Sequence, residues 1–184
     1  MVVIREARLG DGPAVAAVFG AARALMTYLP QLHTAEEDVE FYRGVVQGGG
    51  GAVGSVGGAG KVVEVAEVDG VVVGFSAVRD DWLDHLYVDP SWQGRGIGSE
   101  LLARAQAARP VGLTLWVFEE NTGAQALYAR AGFAEVERTD GSGNEERVPD
   151  VLMRWPGVGD SGEKRPGAQR TQSGWARSNS GSVE

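Results

Sequence analysis

Cysteine is absent from all 184 residues, which excludes disulfides, thiolate metal sites and a cysteine acyl-enzyme. Long apolar runs are missing as well. No stretch approaches the ~18 apolar residues of a membrane span, and Arg5 and Glu6 interrupt the apolar start before a secretory core can form. A soluble cytoplasmic protein, with no membrane partner, is the expectation. Excess positive charge is lacking too: the net charge is −8, which argues against a nucleic-acid partner. That charge is uneven. Residues 160–184 carry a net +1, so the other 159 residues carry −9. An acidic body favours a cationic small molecule such as an amine, or serves solubility alone.

What is present suffices for one domain. The hydrophobic content of 43% can build a single core, and the length is too short to expect two. The segment 48–60 holds eight glycines in thirteen positions and cannot bury enough surface to order itself. It reads as a flexible insertion or as a mobile flap. From Gly157 onward the chain is rich in Gly, Ser, Arg and Gln, and residues 157–184 are expected to be a disordered tail.

Between these lie alternating and helical patterns. Val2 to Arg8 predicts a first strand. Asp11-Gly12-Pro13 opens a helix with Asp11 as N-cap and an apolar stripe of Val15, Val18, Phe19, Ala22, Leu25 and Met26. Thr34-Ala35-Glu36-Glu37 is a capping box before a second helix with Val39, Tyr42, Val45 and Val46 on its buried face. Strands at 61–68 and 71–79 flank Asp69-Gly70, a type I′ hairpin signal. Further strands are predicted at 82–88, 111–118, 133–139 and 148–155. A helix opens at Asn121 and ends before Gly132.

The most informative stretch is Leu86-Tyr87-Val88-Asp89-Pro90-Ser91-Trp92-Gln93-Gly94-Arg95-Gly96-Ile97-Gly98-Ser99. It reads as a strand, a turn, a glycine-rich loop and a helix, and the loop delivers backbone N–H groups to a helix start, which attracts anions. Gly94, Gly96 and Gly98 let a bulky anion approach the main chain, and Arg95 can add a charge-assisted contact. A Walker loop would need a lysine that is absent here. The dinucleotide fingerprint would need glycine where Ser99 stands.

Gln93-Gly94-Arg95-Gly96-Ile97-Gly98 instead fits Gln/Arg-x-x-Gly-x-Gly/Ala and, with Leu-Tyr-Val-Asp-Pro before it, resembles the acetyl-CoA pyrophosphate loop of the GNAT superfamily of N-acyltransferases. Asn121, Ala124, Leu127-Tyr128 and Gly132-Phe133 match that family's second cofactor motif. The resemblance covers about residues 2 to 155, so a domain over 1–156 is expected. The glycine-rich insertion is the clearest departure from the family. The fold it implies is α/β (α+β): a mixed, mostly antiparallel sheet of about six to seven strands flanked by about four helices. The implied activity is acetyl transfer from acetyl-CoA to a primary amine of a small molecule or peptide, directly in a ternary complex and without a metal. The rival reading is a catalytically inactive acyl-CoA-binding sensor. A monomer or a homodimer fits either.

Cofactor contacts are expected from Leu86, Tyr87, Val88, Gln93, Gly94, Arg95, Gly96, Ile97, Gly98, Ser99 and Asn121. An ammonium has no lone pair, so the acceptor must lose a proton before it attacks a thioester. The resemblance implies base candidates on the strand before the loop, one alternation before the residues whose backbone binds the pantetheine arm, and two residues before Leu86 stands Asp84. His85 has the better intrinsic pKa but points away unless a bulge intervenes. Asp84 is the first candidate base, with His85 or water as alternatives, and Tyr128 is the candidate acid for the departing thiolate. Asn121 also reads as a plain N-cap and Tyr128 as ordinary packing. His33, between the first two helices, either lines the acceptor pocket or is simply solvated.

Overall fold

A computed structural model describes residues 1–47 and 60–158. The expectations for the glycine-rich insertion and for the tail lie outside the described residues, apart from Gly60, Gly157 and Val158. Seven strands form one sheet in the order β1-β2-β3-β4-β5-β7-β6. They are β1 (Val2–Glu6), β2 (Lys61–Val68), β3 (Val71–Arg79), β4 (Trp82–Val88), β5 (Leu113–Phe118), β6 (Ala134–Thr139) and β7 (Asp150–Trp155). Four helices cover it: α1 (Gly12–Ala24), α2 (Ala35–Gln47), α3 (Ile97–Ala108) and α4 (Thr122–Arg130). All neighbours run antiparallel except β4 and β5.

The parallel pair is the architectural event. β4 and β5 share a single registered pair, Trp82 with Thr114, and then part. Six residues of β5 pair fully with β7 on its other side. A wedge therefore opens between the carboxyl ends of β4 and β5 in the middle of the sheet. Parallel strands normally hide under helices on both faces, and here they do. Leu86 and Val88 pack with Ile97, Leu101, Leu127 and Tyr128 on the α3 and α4 side. Tyr87 packs with Phe19, Tyr42 and Phe75 on the α1 and α2 side.

Local chemistry explains most element ends. Thr34 and Glu37 form the reciprocal capping box: Glu37 N donates to Thr34 Oγ1 at 3.2 Å and Thr34 N to Glu37 Oε2 at 2.8 Å. Asp69 and Gly70, with φ of 49° and 83°, make the predicted hairpin turn. Asp11 differs from expectation. Its carboxylate makes no cap bond to α1; it accepts instead from Arg5 Nη1 at 2.7 Å and from Arg8 N at 2.6 Å, tying β1 to the helix start. Leu25 also differs: α1 stops at Ala24, and Leu25 turns out to 59% exposure. At β5 the strand starts at Leu113, leaving Val111 exposed.

Candidate active site

Two cavities meet at β4 from opposite faces of the sheet. Val88 lines one and Tyr87 lines the other, as the twofold alternation of a strand dictates. The first cavity, of about 240 Å³, is bounded by Val88, Gln93, Gly94, Gly96, Gly98 and Ser99, with Leu127 and Arg130 from α4. Gly94 and Gly96 have φ of 71° and 79°, which side chains rarely tolerate. A Cβ added at either would meet nothing within 4 Å, so both point into open space. The amino terminus of α3, with Gly96 as N-cap, presents its first N–H groups there. Gln93 Nε2 donates to Val88 O at 3.2 Å and pins the loop to β4. This cradle fits a pyrophosphate.

Arg95 is placed otherwise than expected. Its guanidinium stacks 4.5 Å above the Trp92 ring and donates to Ser91 O, and it does not line the cavity. The cation in the lining is Arg130. Sequence reasoning missed it, although Arg130 lies on the helix that carries Tyr128.

The second cavity, of about 410 Å³, is lined by Phe19, Met26 and Leu32 among others, with Arg23, His33, Asp38, Tyr87, Glu145 and Glu146 among its polar groups. Its walls are α1, the α1–α2 connection, the first turn of α2, Tyr87 of β4 and the loop between β6 and β7. That loop is built on Asn144, whose Nδ2 donates to Val148 O at 2.7 Å and to Asp150 Oδ2 at 2.9 Å. Asp150 is itself fully buried. Gly141 closes the loop at φ 79°, where a Cβ would sit 2.3 Å from the Val148 carbonyl. Two side-chain bridges then tie the loop to the opposite wall: His33 Nε2 to Glu145 Oε1 at 3.0 Å, and Arg23 Nη2 to Glu146 Oε1 at 3.4 Å. His33 thus lines the cavity, which a lone histidine in a polar connection does not announce.

Tyr87 stands between the cavities. Burial pushes its phenol up, and the charges of Arg23 and Glu146 and the hydroxyls of Tyr128 and Tyr28 act on it. Tyr28 is pushed up to about 12 by burial and by Glu120. Tyr128 is fully buried, with its ring 5.7 Å from Phe133. Asn121 is the N-cap of α4, with Oδ1 accepting from Ala124 N at 3.1 Å and Nδ2 buried without a partner. Tyr128 follows on the same helix face, so both sit on the α4 side of the wedge.

The expected bases are placed less favourably. β4 carries a bulge: Ala77 pairs with His85 and Val78 with Leu83, so Asp84 is the extra residue. Leu83 and Leu86 consequently share one core cluster at a spacing of three, and counting back two from Leu86 does not give Asp84 its face. Asp84 is buried and ion-paired with Arg79, Nε to Oδ2, at 3.2 Å. Burial outweighs that attraction and lifts its carboxyl to about 6. His85 is fully buried among Phe41, Tyr42, Phe75 and Tyr87. Burial pushes its imidazole down to about 3, which makes it a poor proton acceptor. Neither residue lines either cavity.

Among the described residues no group of three or more His, Cys, Asp or Glu side chains is arranged to hold a metal. No described helix is long and apolar enough to cross a membrane.

Comparison with known proteins agrees with this geometry. Residues 59–135 match the family described as acetyltransferase (GNAT) domain. An uncharacterized N-acetyltransferase of Methanocaldococcus jannaschii is 38% identical over 92 residues, 42% of this chain and 41% of that one. The peptidyl-lysine N-acetyltransferase YjaB of Salmonella typhimurium is 38% identical over 68 residues, 37% of this chain and 46% of that one. The chain therefore spans less than half the length of these two relatives. In solved structures, apo YjaB of Escherichia coli superposes with a TM-score of 0.64 at 23% identity, over 86% of this chain and 99% of that one. YncA of Salmonella typhimurium, solved with its cofactor acetyl-CoA, gives 0.62 at 20% identity, over 88% and 96%. At such identities the structures speak to the fold alone. The sheet order, the open wedge and the glycine loop at its mouth agree with these matches: over residues 59–135 the chain carries a match to the acetyltransferase (GNAT) domain, on a fold shared with solved acetyltransferases.

Proposed function

We propose that the protein transfers an acetyl group from acetyl-CoA to a primary amine, with both substrates bound at once. The observation that carries this is the meeting of two cavities at β4, one shaped for an anion and one acidic, across a wedge in the sheet. The donor's pyrophosphate belongs at Gly94, Gly96 and the α3 terminus, with Ile97, Gly98 and Ser99 supplying N–H groups and Arg130 adding charge. Leu86, Tyr87 and Val88 lie along the stretch where β4 has left β5, and in this reading their main chain holds the arm that leads from it.

Acetyl-CoA supplies a thioester, whose acyl carbon an uncharged amine attacks. The chain's contribution is placement and proton handling. A main-chain N–H of Leu86 or Val88 stabilises the negative charge growing on the acyl oxygen. Tyr128, buried on the wedge side of α4 and acting electrostatically on Tyr87, gives its hydroxyl proton to the departing sulfur. Asn121 Nδ2, buried without a partner, is placed for a polar group of the donor.

The relative named a peptidyl-lysine N-acetyltransferase makes a lysine side chain one acceptor to try. The test is release of free CoA thiol from acetyl-CoA in the presence of spermidine or a lysine-containing peptide. Amine-dependent release is the expected result. CoA binding without release under any amine would leave a sensor on the same fold.

A further inference from the structure

The acceptor cavity contains one buried group that the fold uses only in part. The Glu146 side chain is 8% exposed. Its Oε1 accepts from Arg23 at 3.4 Å, whereas Oε2 is buried with no hydrogen-bond partner. A buried carboxylate oxygen without a donor is costly. The loop nevertheless fixes it there through Gly141, Asn144 and Asp150. Around it stand Arg23 from α1, His33 from the α1–α2 connection, Glu145 beside it and Tyr87 from β4. Asp38 of α2 lines the same cavity. Three carboxylates thus face one guanidinium, and one carboxylate oxygen awaits an N–H donor. The chemistry that completes this site is a primary ammonium.

Resting on the acetyl-transfer reading, we propose that Glu146 is the general base: its Oε2 receives the acceptor's ammonium and takes a proton from it. Burial raises the Glu146 carboxyl above its ordinary value, in the direction a base working near neutral pH requires. The long Arg23 contact orients the group without quenching it. The balance is complete. One proton passes from the ammonium to Glu146 and on to solvent, and the freed lone pair forms the C–N bond to the acyl carbon. The C–S bond breaks, the sulfur takes the proton of Tyr128, and the second amine proton returns to the tyrosinate.

Three measurements on the full chain test this, with spermidine and a lysine-containing peptide as probes. Calorimetry of spermidine against the CoA-saturated protein is expected to show binding that Glu146→Gln weakens by about tenfold or more. Glu146→Gln is expected to lower kcat at pH 7 by ~10²-fold, with the deficit shrinking as the amine becomes neutral at high pH and Glu146→Asp restoring part of it. CoA binding of each variant, measured in parallel, reports on folding and on the donor site. Undiminished spermidine binding and kcat in Glu146→Gln would overturn the assignment, as would a loss confined to Asp84→Asn. A wild-type protein that binds CoA but neither probe also overturns it and leaves the donor site standing. Failure to bind CoA at all would instead sink the acetyl-transfer reading.

Discussion

At the scale of single residues, burial decides more than residue type. Asp84 and His85 adjoin on β4 and have opposite linkages to folding. The Asp84 carboxyl, lifted from 3.8 to about 6, binds its proton more tightly in the fold than in the unfolded chain. Its contribution favours the fold below about pH 4 and is lost as pH rises through about 6. His85, depressed from 6.5 to about 3, does the reverse, favouring the fold above its unfolded value and withdrawing support as pH falls. Asp84→Asn should therefore be more stable than the parent at pH 7.5 by about 1–3 kcal/mol, the Arg79 attraction already included in the shift, and nearly equal at pH 4. Urea melts at the two pH values check this; a variant that is less stable at pH 7.5 would show that the Arg79 pair outweighs burial. Tyr128→Phe keeps the buried packing and removes only the hydroxyl. We expect kcat to fall toward the lower end of the ~10²–10⁴ range, with CoA affinity unchanged, since a thiolate leaves tolerably even without a proton. Weakened CoA binding at constant kcat would make the tyrosine a donor contact instead.

At the scale of elements, the proposed acceptor side rests on the β6–β7 loop and the proposed donor side on the loop before α3. Gly141→Ala places a methyl against the Val148 carbonyl at a positive φ. It should cost about 1–3 kcal/mol and displace Glu145 and Glu146. The measurable signature is a lower Tm with amine turnover reduced more than CoA affinity. The donor loop was readable in the sequence, because the glycine spacing and the strand and helix around it each carry local information. The acceptor loop was not. Glu145 and Glu146 look like solvated charges in a polar run, and the burial of the Glu146 side chain depends on Asn144 and Asp150 closing the loop on itself. The Asp84 bulge escaped for a related reason: the extra residue is set by the pairing of β3 with β4, not by any pattern within β4.

At the scale of the whole molecule, the sheet is one layer with a helix pair on each face, and the wedge between β4 and β5 joins the two sides. Strand and helix order followed from periodicity to within a few residues at each end. The sheet order, with β7 inserted between β5 and β6, is not among the sequence expectations, because long-range pairing leaves no local trace. In the proposed reaction donor and acceptor approach β4 from opposite faces, which requires the donor to be held at the mouth of that wedge. Calorimetric titration of acetyl-CoA into the protein and into Gly96→Asp measures this most directly, since the aspartate fills the cradle and adds like charge at the φ 79° position. The account predicts one-to-one binding by the wild-type chain and none by a folded Gly96→Asp variant; equal binding by both, or none by the wild type, would contradict it.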